Sequence, residues 1–125
     1  MENYNENILL TKEDLEKIKN TLKNKKFEDF KIHKHYWFNG IVGIPRHGFE
    51  ISELSKLFDK TEFITHGFKR KYSLSFGYTL IYKISVNSFV KICYFLDESP
   101  MKIYNAIPLK RNLEKAILKR YAIKI

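Results

Sequence analysis

The stretch Tyr78–Leu96, YTLIYKISVNSFVKICYFL, decides the fold that the sequence predicts. Its apolar residues recur at every second position on either side of Asn87-Ser88, a period of two that is typical of β-strands. Asn87 tolerates a positive φ and Ser88 does so less well, so the pair permits a hairpin turn. The opposite faces are also partly apolar, as Ile81 and Phe95 indicate. We therefore expect two central antiparallel strands that are covered on both sides.

Helical and strand patterns on either side of this hairpin predict an α+β fold. The helical patterns cover residues 12–24, 50–60 and 109–121, and the further strand patterns cover residues 62–66, 69–76 and 101–107. Thr11 is the expected N-cap of the first helix, and Gly67 and Gly77 are expected to lie in connections between strands. The sequence thus predicts two N-terminal helices, a mostly antiparallel sheet of four or five strands and a C-terminal helix.

The chain of 125 residues predicts one domain, spanning 1–125, in which residues 1–7 are expected to be frayed. Its single cysteine, Cys93, lies in an apolar strand and has no partner for a disulfide within the chain, which favours a reduced cytoplasmic setting. No stretch approaches about 18 consecutive apolar residues, and the N-terminus lacks the pattern of a signal peptide. We expect a soluble cytoplasmic protein without a membrane span.

Positive charge is concentrated in the second half of the chain. Residues 1–62 carry 11 Lys and Arg and 11 acids, whereas residues 63–125 carry 12 Lys and Arg and three acids. The formal net charge of +9 is therefore localised. A basic region beside a neutral one is typical of a surface that faces a polyanion such as RNA. The alternative is that the lysines serve general solubility.

The stretch from His66 to Tyr72, HGFKRKY, is the strongest candidate for chemistry. On a strand Arg70 and Tyr72 share one face, and Lys69 and Lys71 share the other. Arg70 can hold phosphate oxygens in a bidentate fork, and a neutral His66 can take a proton from a 2′-hydroxyl. Together such groups would suffice for RNA cleavage without a metal, in which the hydroxyl attacks its own phosphate. The alternative is a solvated edge strand, on which lysines discourage aggregation.

Basic residues elsewhere extend the predicted RNA-binding surface. His47, beside Arg46 on a loop, is the candidate second catalytic residue, which would protonate the leaving oxygen. The other candidates for nucleic-acid binding are Lys83 in the hairpin and, on the outer side of the C-terminal helix, Arg111, Lys115 and Lys119. The three helical residues recur at every fourth position, so they would form one basic stripe.

Metal and cofactor chemistry has weaker signals. His33 and His35 would share one face of an extended strand and could form a zinc site with a third histidine, but no HExxH motif or cysteine pair accompanies them. The five glycines are scattered and form no Gly-rich phosphate loop. We therefore predict no metal and no cofactor, and we expect Cys93 to be a buried, inert thiol.

The three adjacent aromatics Tyr36, Trp37 and Phe38 permit two interpretations. Such rings can form a platform on which nucleic-acid bases stack. In a small domain they are more often core and rim residues, because a lone tryptophan is usually mostly buried.

The segment from His66 to Leu96, with its basic strand and the run GYTLIYKI at 77–84, resembles the sheet of RelE-type toxin ribonucleases and of the wider barnase, EndoU, colicin and RelE group. The resemblance covers roughly residues 47–107, and the helix from Ile51 to Phe58 ahead of the sheet agrees with it. It implies helices before a curved antiparallel sheet, RNA bound on the basic face of that sheet, cleavage without a metal and an antitoxin that covers the groove.

Only Arg70, Lys71 and Tyr72 can be matched to that group, as a basic and phenolic set on one strand. The chain departs from the group in its basic C-terminal helix. No His or Arg follows Pro100 at the place where several such toxins keep one, unless Arg111 serves.

These observations predict an RNA-binding protein and favour a metal-independent endoribonuclease of toxin type. The alternatives are a non-enzymatic nucleic-acid-binding or regulatory module, which would use the C-terminal helix, and an interaction protein for an acidic partner. RNA, an acidic antitoxin and a second copy of the chain are the expected partners, and a membrane is not.

Overall fold

A computed structural model describes residues 7–72 and 75–121 of the chain, except for the side chain of residue 121. In this part of the chain the strands are β1 (Ile8–Leu9), β2 (Lys31–Ile32), β3 (Ile64–Lys71), β4 (Phe76–Ser85), β5 (Ser88–Phe95) and β6 (Lys102–Leu109), and the α-helices are α1 (Lys12–Lys23), α2 (Ile51–Phe58) and α3 (Leu113–Tyr121). The strands form one sheet in the order β1-β3-β4-β5-β6-β2, antiparallel except where β2 meets β6. The predicted α+β class and the mostly antiparallel sheet are confirmed.

One face of the sheet, here called the closed face, is defined by Leu80, Tyr82, Ile92, Tyr94 and Ile103. These side chains are buried in a large apolar core that also contains residues of α1, α2 and the connection between them. The helices fold onto this face because their apolar residues recur on one side, as at Leu15 and Leu22 of α1 and Leu54 and Phe58 of α2. Most of the burial that holds the domain together therefore lies on the closed face.

The other face of the sheet, here called the cleft face, includes Arg70, Thr79, Lys91, Cys93 and Asn105. The strand register places Thr79, Cys93 and Asn105 opposite one another on β4, β5 and β6. Helix α3 covers only part of this face, where its side chains join a small second core. That core consists of Ile81, Phe89, Leu113 and Ile117, with Phe68 and Leu109 packed against it.

The turn of the central hairpin lies one residue earlier than predicted. Ser85 pairs with Ser88, so Val86 and Asn87 form the turn, and the prediction of Asn87-Ser88 is wrong. A register shift between Lys83 and Ser85 leaves one extra residue in β4, so the hairpin closes on a two-residue turn.

The predicted breaks at Gly67 and Gly77 are also wrong, since β3 and β4 pass through them. Both glycines make room for a close neighbour. A Cβ at Gly67 would lie 2.8 Å from Leu10 Cδ1, and a Cβ at Gly77 would lie 2.5 Å from Tyr72 Cε2. The sequence pattern cannot separate a glycine that serves packing from one that serves a turn.

Other boundaries differ from the prediction at the edges of the sheet and at the start of α3. The sheet has six strands in the described residues because β1 and β2 add two-residue pairings at its edges. Leu109 ends β6, and α3 begins at Leu113 instead of Leu109. Pro108 fits within β6 although proline has no backbone N–H to donate. Strand β2 pairs with β6 only at Lys102 and Ile103, so no hydrogen bond to β2 is needed at Pro108.

The aromatic run near residue 37 is divided between core and surface. Tyr36 and Trp37 are buried, and the Tyr36 hydroxyl donates a hydrogen bond of 2.6 Å to the Phe49 carbonyl. Phe38 is exposed at the start of an apolar loop that includes Val42. The core interpretation therefore holds for two of the three rings.

None of the helices in the described part of the chain combines the length and the apolar character that a membrane span requires.

Candidate nucleic-acid interface

A cavity of about 290 Å³ lies between the cleft face and α3, and we call it the basic cleft. Four of the side chains that line it are cations, namely Arg70, Lys91, Arg111 and Arg120. Among the described residues that line the basic cleft there is no Asp or Glu. Because like charges repel, a concave site with four cations and no acid in its described lining favours an anionic ligand.

The four cations reach the basic cleft from three different elements. Arg70 and Lys91 lie on β3 and β5, where alternation along the strand directs them to the cleft face. Arg120 shares one side of α3 with Leu113 and Ile117, at helical spacing. Arg111 lies just before α3 in the connection from β6. The packing of α3 on the sheet thus closes the site around the charges.

Lys91 shows the electrostatic character of the basic cleft. Burial lowers the pKa of Lys91, and the positive charge of Arg111 lowers it further. An anion bound between these two groups would offset both the desolvation and the repulsion. The folded protein therefore holds positive charge where it has an electrostatic cost, which is typical of binding sites.

Tyr72 and Cys93 are protonated groups in the basic cleft. Burial raises the pKa of Tyr72 to about 12, and burial raises the pKa of Cys93 to about 11. The phenol can therefore donate a hydrogen bond to a phosphate oxygen, whereas the thiol is a poor nucleophile at neutral pH. The Arg70 guanidinium carbon lies 5.5 Å from the centre of the Tyr72 ring, so the two side chains form one unit.

Of the predicted site residues, the structure brings Arg70, Tyr72 and Arg111 together in the basic cleft. Lys69 and Lys71 lie on the opposite face of β3. Their ammonium nitrogens are 5.7 Å and 5.0 Å from the centre of the Phe76 ring. The predicted division of β3 into two faces is thus observed, and it separates these lysines from the cations of the cleft.

A second group of predicted residues lies around the outer side of α3. Lys83 Nζ is 2.6 Å from Glu114 Oε1. His66 is close enough for Glu114 to affect its pKa, which burial lowers and Glu114 raises. Lys115 and Lys119 are exposed on α3. None of these four basic residues is among those that line the basic cleft.

Arg46 and His47 lie on the exposed loop before α2. The Arg46 Nε donates a hydrogen bond of 3.1 Å to the His35 carbonyl. The pKa of His47 is lowered by burial, then by Arg46 and by Lys91. His47 is thus near enough to the basic cleft to respond to one of its cations, and these effects favour its neutral form.

Lys91 and Asn105 line the cleft but were not predicted as site residues, whereas Arg120 was expected to contact nucleic acid only if the C-terminal helix supplied the binding surface. Lys91 carries a usable signal, because it is the one charged residue in the apolar run from Ser88 to Leu96. A charged residue at a central strand position indicates either an ion pair or a site.

Within the described residues, no group of three or more His, Cys, Asp and Glu side chains could hold a metal ion. His33 and His35, the pair considered for zinc, both pack against Tyr104.

Comparisons with protein-family models, with curated proteins and with solved structures found no match to this chain.

Proposed function

We propose that this protein binds RNA in the basic cleft. The observation that supports the proposal is the set of four cations around a cavity of about 290 Å³, with no acid among the described lining residues. Arginine forms planar, bidentate contacts with phosphate, and three of the four cations are arginines. Thr79 and Asn105 in the floor of the cleft add polar groups that can bind sugar hydroxyls or base edges. The sequence of residues 47–107, which resembles that of RelE-type ribonucleases, is the reason for proposing RNA over other polyanions.

The test of RNA binding compares residues that differ in position but not in charge. Arg70→Gln and Arg120→Gln remove cations from the cleft. Lys71→Gln and Lys119→Gln remove neighbouring cations on the opposite face of β3 and the exposed side of α3. Affinity for a labelled single-stranded RNA is measured by fluorescence anisotropy over a range of salt concentrations.

Each arginine variant should bind at least about tenfold more weakly, because a hydrogen bond to a charged group contributes about 1.5–3 kcal/mol. The slope of log K against log salt should fall by about 0.7 for each phosphate contact that is lost. The lysine variants should bind much as the wild type does. Equal losses of affinity in all four variants would contradict binding at the basic cleft. Binding that is insensitive to salt would contradict RNA binding through these cations.

Metal-independent cleavage of the bound RNA is a second candidate function, supported by Tyr72 and His47. The lowered pKa of His47 favours its neutral form, which can take the proton of a 2′-hydroxyl. The hydroxyl oxygen then attacks the adjacent phosphorus and forms a 2′,3′-cyclic phosphate, while the 5′-oxygen leaves. Tyr72, whose pKa is about 12, would donate the proton that the 5′-oxygen needs, and Arg70 would stabilise the charge on the phosphate. This assignment changes the roles expected from the sequence, in which His66 is the base and His47 protonates the leaving oxygen, so His66 is the alternative base.

Cleavage is tested with labelled RNA in the presence and absence of EDTA. The wild type should release a product with a 2′,3′-cyclic end in both conditions. His47→Ala and Tyr72→Phe should bind RNA but not cleave it, and His66→Ala separates the two candidate bases. RNA that stays intact while it binds in a salt-dependent way would rule out the catalytic candidate and leave the binding module.

A further inference from the structure

Five aromatic rings form a continuous cluster beside the basic cleft, which we call the aromatic shelf. His35 stacks on Tyr104 with ring centres 4.3 Å apart and planes 15° apart, and His33 lies 4.9 Å from the same ring. Phe95 meets Tyr104 edge to face at 5.2 Å, and Tyr72 meets Phe95 in the same way at 5.2 Å. Tyr104 is therefore the centre of the shelf.

The position of Tyr104 results from a bulge in the sheet. Cys93 pairs with Asn105, whereas the next residue, Tyr94, pairs with Ile103, so Tyr104 is the extra residue of β6. Tyr94 and Ile103 are both buried on the closed face. A bulge re-aims a side chain that regular pairing would place elsewhere, and bulges occur often next to functional sites.

Four of the five rings of the aromatic shelf are accessible to a ligand. His33, His35, Tyr72 and Tyr104 are all partly exposed, and only Phe95 is buried. Burial and nearby cations lower the pKa of His33 and of His35. A partly exposed neutral ring can accept a base on its face without desolvating a charge.

The aromatic shelf is continuous with the basic cleft through Tyr72. This ring lines the cleft, and its centre is 5.9 Å from that of Tyr104 on the shelf. On its other side the Arg70 guanidinium lies 5.5 Å away. Cations that suit phosphates and rings that suit bases therefore follow one another along a single surface, as in proteins that bind single strands.

We propose that the aromatic shelf stacks an unpaired base of an RNA strand whose phosphates lie in the basic cleft. This inference rests on the proposed function and narrows its substrate to single-stranded RNA. A base in a duplex is stacked on its neighbours and paired, so its faces are not available to protein rings. The shelf thus favours single-stranded RNA over a duplex, whereas the cations of the cleft attract both forms.

The test uses 2′-O-methyl RNA, because a methylated 2′-oxygen cannot attack the phosphate and binding is then measured without cleavage. A single-stranded decamer, the same decamer with abasic sites and a blunt duplex are compared for wild type and Tyr104→Leu. Tyr104→Phe keeps the ring and serves as one control. Phe76→Leu serves as the second, because Phe76 is a ring beside lysines on the opposite face.

Wild type should bind the single strand about tenfold or more tightly than the abasic strand, since stacking on an aromatic side chain contributes strongly for each base. Tyr104→Leu should lose most of that preference and keep its affinity for the abasic strand. Both controls should retain the preference. A decamer that contains 2-aminopurine should show quenched fluorescence with wild type, which detects stacking without any variant.

Two results separate the inference from the function on which it rests. Salt-dependent binding with equal affinity for all three nucleic acids and no quenching would overturn the shelf and leave RNA binding in place. Absence of salt-dependent binding to any of them would overturn both. If Tyr104→Leu does not fold, His35→Leu removes the ring that stacks on Tyr104, and an unchanged preference in that variant together with no quenching contradicts the shelf.

Discussion

The two faces of the sheet carry side chains of different character although the same strands build them. On the closed face Leu80, Ile92 and Ile103 are fully buried among apolar neighbours. On the cleft face, Thr79 and Lys91 are next to Leu80 and Ile92 in the chain, and Asn105 lies two positions after Ile103 because of the bulge at Tyr104. Alternation in β4 and β5, and the bulge in β6, thus separate residues that stabilise the fold from residues that line the cleft.

The cleft face stays polar at a cost in the stability of the fold. Only the part of it near Ile81 and Phe89 gains an apolar cover from α3. Elsewhere this face holds Lys91, whose pKa is lowered by burial and then by the positive charge of Arg111. Substitutions on the closed face should therefore change folding, and substitutions on the cleft face should change binding.

The largest difference between the faces is expected from cavity-forming substitutions. Leu80→Ala on the closed face should lower the free energy of unfolding by about 2–5 kcal/mol, because the side chain is fully buried and leaves an enclosed void. Ile107→Ala, on the lining of the cleft, should cost only about 1 kcal/mol, because its side chain is partly exposed. Urea unfolding of both variants measures the difference, and equal losses would contradict the separation of the two faces.

Two buried tyrosine hydroxyls on the closed face should give a smaller loss of stability, and a double-mutant cycle can test whether they are coupled. The hydroxyls of Tyr82 and Tyr94 lie 2.7 Å apart and are buried. Tyr82→Phe should cost about 1–3 kcal/mol, since it leaves the Tyr94 hydroxyl buried without this partner. The double variant Tyr82→Phe, Tyr94→Phe should be more stable than the sum of the two single losses predicts. Additive losses in this cycle, measured by urea unfolding, would show that the two hydroxyls are not coupled.

Much of this division follows from the sequence. The period of two in β4 and β5 predicts the hairpin, and the same period predicts that Arg70 and Tyr72 share a face that Lys71 does not. The face on which α3 packs could not be predicted, because an amphipathic helix at the end of the chain can cover either side of a sheet. The position of Arg120 and the enclosure of the cleft both depend on which face α3 covers.

The aromatic shelf was not predicted because its central residue depends on strand register. Regular alternation from Ile103 would not place both Tyr104 and Asn105 beside the cleft face, and only the bulge opposite Cys93 and Tyr94 does so. A bulge is set by the pairing of two strands and leaves no reliable mark in either one. His33 and His35 are recognisable as a pair, but the ring they contact lies about 70 positions later in the chain.

The smallest effect, and the one that most directly tests the cost of the cleft face, is expected from Lys91→Met. Removal of a partly buried cation beside Arg111 should raise the free energy of unfolding at pH 7, by at most about 0.5 kcal/mol because solvent screens a partly exposed charge. The same variant should bind RNA more weakly. A variant that loses both stability and binding would show that Lys91 supports the fold.

The pH dependence of Lys91→Met distinguishes the charge of Lys91 from its packing. The folded-state pKa of Lys91 is lowered from its usual value of 10.5, so between these two values the unfolded chain binds more protons than the folded protein. Stability that Lys91 costs at pH 7 should therefore be regained as the pH rises through the folded pKa towards 10.5. Urea unfolding of wild type and variant across this alkaline range should show their difference narrowing, because the variant has no ammonium to deprotonate. A constant difference would mean that the methionine acts through apolar contacts alone.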